Sequence, residues 1–158
     1  MIRSEKQWLN AVPWESVLTL NKALCQAQKT DPLNNSKGYE QARRFWDAAV
    51  GRKMTIREAI DICHQAHDIG PFTFNNGNTF AAIGRTLVED YLKAVPPVEA
   101  QILRTTICHY VVGLVDRKEL LQVLRHFEPM LESLPAAVHA PSATAAFVSG
   151  SQEQGASA

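Results

Sequence analysis

The sequence lacks an excess of charge of either sign: 16 Lys and Arg stand against 16 Asp and Glu in 158 residues. A protein drawn to a polyanion carries a basic surplus, so the composition argues against nucleic acid as the partner. No apolar run approaches the roughly 18 residues that a membrane-spanning helix needs, and no membrane association is expected. The N-terminal stretch MIRSEKQWLNAVPW is positively charged, but Glu5 and Asn10 interrupt it, so no signal-peptide core follows. Cysteine is sparse and odd in number. Cys25, Cys63 and Cys108 show no C-x-x-C spacing and fall in stretches of helical period. They read as small buried hydrophobes in a reducing compartment, most simply the cytoplasm, and not as a disulfide framework. Also missing are a glycine-rich phosphate loop, a Ser–His–Asp order and a paired-carboxylate motif. No alternation of Val, Ile and Thr is long enough for a strand.

What the chain does have is helical period. After a short apolar patch at Trp8, Leu9 and Val12, Pro13 opens a helix carrying Trp14, Val17, Leu18, Leu24 and Cys25. A second begins near Ser36 or Lys37 and presents Tyr39, Ala42, Phe45, Trp46, Ala49 and Val50 before Gly51. Thr55-Ile56-Arg57-Glu58 is a capping box, and the helix it opens runs to Gly70-Pro71. Asn78 or Thr79 is expected to cap a fourth helix reaching Val95, with Phe80, Ile83, Gly84, Leu87, Val88, Tyr91 and Leu92 on one stripe. Gly84 in that stripe predicts the close approach of another helix backbone. Pro96-Pro97 starts a fifth helix, apolar on most sides through Ile102, Leu103, Ile107, Tyr110 and Val111, the pattern of a buried central helix. Asp116 caps a sixth, in which Pro129 is expected to force a kink or a restart. Residues 136–158 are mostly Ala, Ser, Gly, Pro and Gln and read as a disordered tail. The expected fold is all-α: a single-domain bundle of about six helices over residues 1–135, followed by that tail.

Three constellations bear on chemistry. Asp61, His64 and Asp68 are spaced by three and four residues, so they share a face of the third helix, and imidazole with carboxylate at that spacing can hold a divalent metal. His67 is crowded onto the same helix but falls on its apolar stripe. The order His64-Gln65-Ala66-His67 lacks the Glu of the helical zinc motif H-E-x-x-H, so no metal or other cofactor is assigned.

Arg104-Thr105-Thr106-Ile107-Cys108-His109 has the form R-x4-H and resembles the signature of the HEPN family of all-helical dimeric RNases. The resemblance implies a metal-independent cut of the RNA backbone by Arg104 and His109 at a dimer interface. Thr105 is a poor match to the Asn, Asp or His common after the Arg in that family. On one helix, positions five apart also point about 140° away from each other. The loop Gly70-Pro71-Phe72-Thr73-Phe74-Asn75-Asn76-Gly77-Asn78 resembles the nucleotide-transfer loop of Fic proteins at Pro71, Phe72, Asn76 and Gly77. Gly70, Phe74 and Asn78 replace its His, acid and Arg, which leaves no general base and nothing to hold a metal-bound phosphate.

That loop has a second use. Phe72 and Phe74 flank Thr73, so an extended backbone points both rings the same way, and exposed they form an aromatic binding anchor. The reading that follows is a small non-enzymatic helical interaction module, an adaptor, chaperone-like or regulatory protein, binding a protein partner through apolar surface at Phe72 and Phe74. The alternative is the HEPN-like RNase using Arg104 and His109. A homodimer is compatible with either.

Overall fold

Helices form where the apolar periodicity places them. The computed structural model describes residues 5–133. Among these run α1 (Trp14–Ala27), α2 (Tyr39–Val50), α3 (Ile56–Ile69), α4 (Asn76–Glu89), α5 (Pro97–Val111) and α6 (Arg117–Ser133), with a 3₁₀ turn at Asp90–Ala94. The architecture is the expected all-α bundle. The described residues contain two isolated β-bridges, Lys6 with Met54 and Asn34 with Phe72, and no named strand. The stretch 136–158, read as a disordered tail, lies outside the described residues.

Helix α3 packs against α2, α4 and α5. Its start is the capping box as read. Thr55 accepts from the Glu58 amide, and the Glu58 carboxylate accepts from the Thr55 amide at 3.0 Å. Its end is Gly70, at φ 71°, a left-handed position that favours glycine. Ile56, Ala59, Ile60, Ile62, Cys63 and Ala66 are buried. Where α4 crosses α5, a Cβ on Gly84 would stand 3.1 Å from an Ile107 methyl and 3.3 Å from a Val111 methyl. The neighbours that press on Gly84 are therefore side-chain methyls, not the helix backbone that the stripe predicts.

Several features differ from the sequence reading, the first being α2, which starts at Tyr39 after Gly38 and not at Ser36 or Lys37. Helix α4 is capped by Asn75 at φ 65°, three residues early, because Thr79 is buried and its hydroxyl accepts from Asn21 Nδ2 at 3.2 Å. It ends at Glu89 and tightens to 3₁₀ geometry before Pro96, whose ring drives Val95 to an extended ψ of 141°. Leu87 is only half-buried, while Phe80, Ile83 and Val88 line the core. Pro129 neither ends nor restarts α6, which continues to Ser133. On either side of Pro129 the helix is held from outside. Glu128 receives a bidentate pair of hydrogen bonds from Arg57 of α3, one of them 2.7 Å from Nη2. Lys6 donates to the Leu131 carbonyl at 2.9 Å, its ammonium lying over the rings of Trp8 and Tyr91.

The loop before α2 is pinned to the loop after α3. The Asn35 amide donates to the Pro71 carbonyl and the Thr73 amide to the Leu33 carbonyl, both at 2.8 Å. Gly38 is seated so tightly that a Cβ there would lie 2.6 Å from the carbonyl oxygens of both Ile69 and Gly70. Gly38→Ala must push these backbones apart and should cost about 1–3 kcal/mol or more, read as a lower midpoint in urea unfolding. An unchanged midpoint would show that the contact relaxes freely. Glu128→Ala removes the bidentate carboxylate from a nearly buried guanidinium and should lower the midpoint in the same measurement, by about 1–3 kcal/mol.

Candidate functional site

Helix α3 carries polar groups on its packed faces, and their partners define the site. Asp61, on the face toward α5 and α6, has both carboxylate oxygens engaged. Tyr110 of α5 donates its hydroxyl to Oδ1, and Arg117 of α6 lies 3.1 Å from Oδ2. Burial, then the hydrogen bond and charge of Asp61, push the Tyr110 phenol well above its ordinary value, so it stays a neutral donor.

One turn on, the His64 ring lies 5.0 Å from the Tyr110 ring, centroid to centroid. Its Nδ1 is 3.0 Å from the Val111 carbonyl. A carbonyl only accepts, so Nδ1 carries the proton, and the bond satisfies a carbonyl that the end of α5 leaves without an intrahelical partner. The other nitrogen, Nε2, faces Asp68 Oδ2 at 3.3 Å. His67 Nδ1 lies 3.4 Å from Asp68 Oδ1 but forms no hydrogen bond, although the atom is buried. The ring's other nitrogen faces Gly77 at the start of α4, which packs closely on Val112: a Cβ there would stand 3.2 Å from a Val112 methyl and 3.9 Å from His67 Nε2.

The structure thus gathers His64, His67 and Asp68, with donor atoms all within 4.8 Å of one another. Of the three candidate ligands weighed in the sequence, for which no metal was assigned, His64 and Asp68 are in this group. Asp61 is not, being held by Tyr110 and Arg117. His67 replaces it. The clue was the crowding of His67 beside Asp68, outweighed in the sequence by its place on the apolar stripe.

The other expected residues are placed differently. Arg104 is clamped by Glu89 of α4, donating from Nε at 3.0 Å and Nη2 at 2.7 Å, while His109 is exposed near the end of α5. Phe72 is corrected from an exposed anchor to a core residue. It is 2% exposed and stacked between Trp14 and Phe80, with centroids at 6.0 and 6.4 Å. Phe74 is 44% exposed. The expectation that both rings face one way required an extended backbone through Thr73. Instead Asn76 turns the chain, its amide accepting from the Phe72 N–H at 3.0 Å and donating to the Phe72 carbonyl at 2.7 Å.

A second correction concerns α5. Its inner face buries Ala100, Leu103, Ile107, Tyr110 and Val111, but Val98 is 74% and Ile102 51% exposed. These two are four residues apart, on the same side of the helix, and line a shallow groove with Pro97, Gln101, Thr105 and Thr106. The spacing of Val98 and Ile102 was the available signal. It was hidden because a helix apolar all round reads as buried on every side.

Compared with family models, with curated proteins and with solved structures, the chain matches none.

Burial pushes the Cys63 thiol on α3 from 9.0 to about 12. The unfolded chain ionises that thiol first. The stability it contributes is therefore complete below about pH 9 and is lost as pH rises toward 12. Urea unfolding from pH 8 upward should show stability falling above pH 9, with a shallower fall in Cys63→Ala. Equal slopes in both proteins would mean that the thiol is solvated in the native state.

Proposed function

We propose that the chain is a non-enzymatic helical module that binds a protein partner through the outer face of α5. The reading is carried by one observation: Val98 and Ile102 are exposed on the same side of a regular helix, in a groove whose other members carry no charge. An apolar strip on a rigid element is suited to the apolar face of a partner helix, read at positions four apart. The binding surface moves accordingly from the Phe72–Phe74 loop to α5, since Phe72 is core. Phe74 and Leu33, both exposed on the paired loops, remain as single apolar side chains.

The clamp of Glu89 on Arg104 weighs against the HEPN-like alternative, because a guanidinium held bidentately must be released before it meets a phosphate. The three free thiols, two of them buried, favour a reducing compartment such as the cytoplasm.

Ile102→Asp puts a charge in the strip without touching the core. It should reduce partner capture in affinity purification by at least tenfold while leaving the melting temperature within about 2 °C, as surface changes usually do. Phe74→Ser should leave capture unchanged. Capture that survives Ile102→Asp and fails in Phe74→Ser would move the surface back to the loop. Ribonuclease activity abolished by His109→Ala would replace the reading altogether.

A further inference from the structure

We propose that His64, His67 and Asp68 form a binding site for a zinc-like divalent transition-metal ion, with three protein ligands and at least one open position. Three independent features of the structure carry this. The first is geometry. His64 Nε2 and Asp68 Oδ2 are 3.3 Å apart, and His67 Nδ1 and Asp68 Oδ1 are 3.4 Å apart. Two ligands each about 2.0–2.1 Å from a tetrahedral ion are separated by about 3.4 Å, so these pairs already stand near that spacing.

The second feature is orientation of the first ligand. The His64 Nδ1 proton is committed to the Val111 carbonyl, which turns Nε2 toward the Asp68 carboxylate and fixes the ring. A ligating imidazole is held in this way in metal sites, its second nitrogen donating to a carbonyl or carboxylate. The third is the unmet need of the second ligand. His67 Nδ1 is a buried ring nitrogen with no hydrogen bond, 3.4 Å from the same carboxylate. A metal ion between the two would satisfy it.

The donor set selects the ion class. Two imidazoles and one carboxylate suit zinc, cobalt, nickel or copper, whereas calcium and magnesium prefer oxygen ligands throughout. One positive charge brought to this part of α3, that of Arg117, is already paired with Asp61. Tyr110 donates to that same Asp61, which keeps it out of the ligand set. Asp68 is 61% exposed, so the ion has a route in from solvent and a side on which water can complete its shell.

The test uses the full chain and the metal alone. Calorimetric titration with zinc should give one ion per chain, and cobalt should develop the visible bands of a tetrahedral complex. His64→Ala, His67→Ala and Asp68→Asn should each weaken binding at least tenfold. Asp68 is exposed, so Asp68→Asn keeps the fold, checked by an unchanged metal-free melting temperature. Zinc should raise the melting temperature of the native chain and not that of the double variant His64→Ala/His67→Ala. No binding of zinc to the native chain at micromolar concentration overturns the site. So does undiminished binding in the double variant or in Asp68→Asn, which would assign the ion to thiols or to other histidines. The titration is made without any partner, so its outcome is separate from that of the α5 surface.

Discussion

Everything around α3 is arranged by one constraint: a helix packed on three sides carries polar groups that must each find a partner. Arg57, Asp61 and His64 face its neighbours, and a buried charge or imidazole left alone costs several kcal/mol. Arg57 is met by Glu128 of α6, Asp61 by Tyr110 of α5 and Arg117 of α6, and His64 by the last turn of α5. The partners come from the two helices that follow in the chain. Apolar packing brings α5 and α6 near α3, but any slide of α6 along it would break the Arg57 and Asp61 contacts together. These pairs tie α6 to α3 at two points along its length. The fixed position of the α5 terminus is, in turn, what orients His64.

A second polar network does the same for the loop between α3 and α4. Asn21 reaches from α1 to the Phe74 carbonyl at 2.8 Å and to the Thr79 hydroxyl. Asn76 brackets the Phe72 backbone, and Asn35 donates to the Gly70 carbonyl at 3.1 Å. The amides of Phe72 and Thr73 are thereby already spent within the fold. A phosphate-cradling loop needs amides free to point at its anion. The likeness to the Fic loop thus fails on backbone chemistry as well as on the residues it lacks. Asn76, the one Asn that carried the likeness, is structural: it brackets the Phe72 backbone.

What could be read from sequence was local. The Thr55–Glu58 capping box, the Gly70 stop and the stripes of α2 and α3 depend on residues within one or two turns, and each is where periodicity and capping chemistry put it. What could not be read depends on pairs far apart in the chain. Arg57 and Glu128 are separated by 71 residues, and Asn21 and Thr79 by 58. Neither pair leaves a local mark. The early start of α4 follows from the second pair, because a Thr used as a buried acceptor cannot serve as a cap. The continuity of α6 through Pro129 accompanies the first, because Glu128 is anchored just before the missing donor. For the site, the i, i+4 spacing of His64 and Asp68 was legible. The engagement of Asp61 elsewhere was not, since Tyr110 and Arg117 belong to other helices.

Helix α5 connects the two surfaces. Val98 and Ile102 lie in its first two turns, and the carbonyl that orients His64 lies at its last residue, Val111. At 1.5 Å per residue, Ile102 and Val111 are separated by about 13 Å along the axis. That distance alone couples nothing. Transmission between sites needs an element with two arrangements that both ligands bias. Between these positions α5 buries Leu103, Ile107 and Tyr110 against its neighbours, and Gly84 leaves Ile107 and Val111 almost no clearance. A close-packed helix of this kind resists sliding, because each methyl that moves must open a void or a clash. The physical expectation is therefore that an ion at His64 and a partner at Ile102 act independently. A bound ion would stiffen the joint between α3 and the end of α5, and a bound partner would cover a strip that the bundle does not need for its own stability.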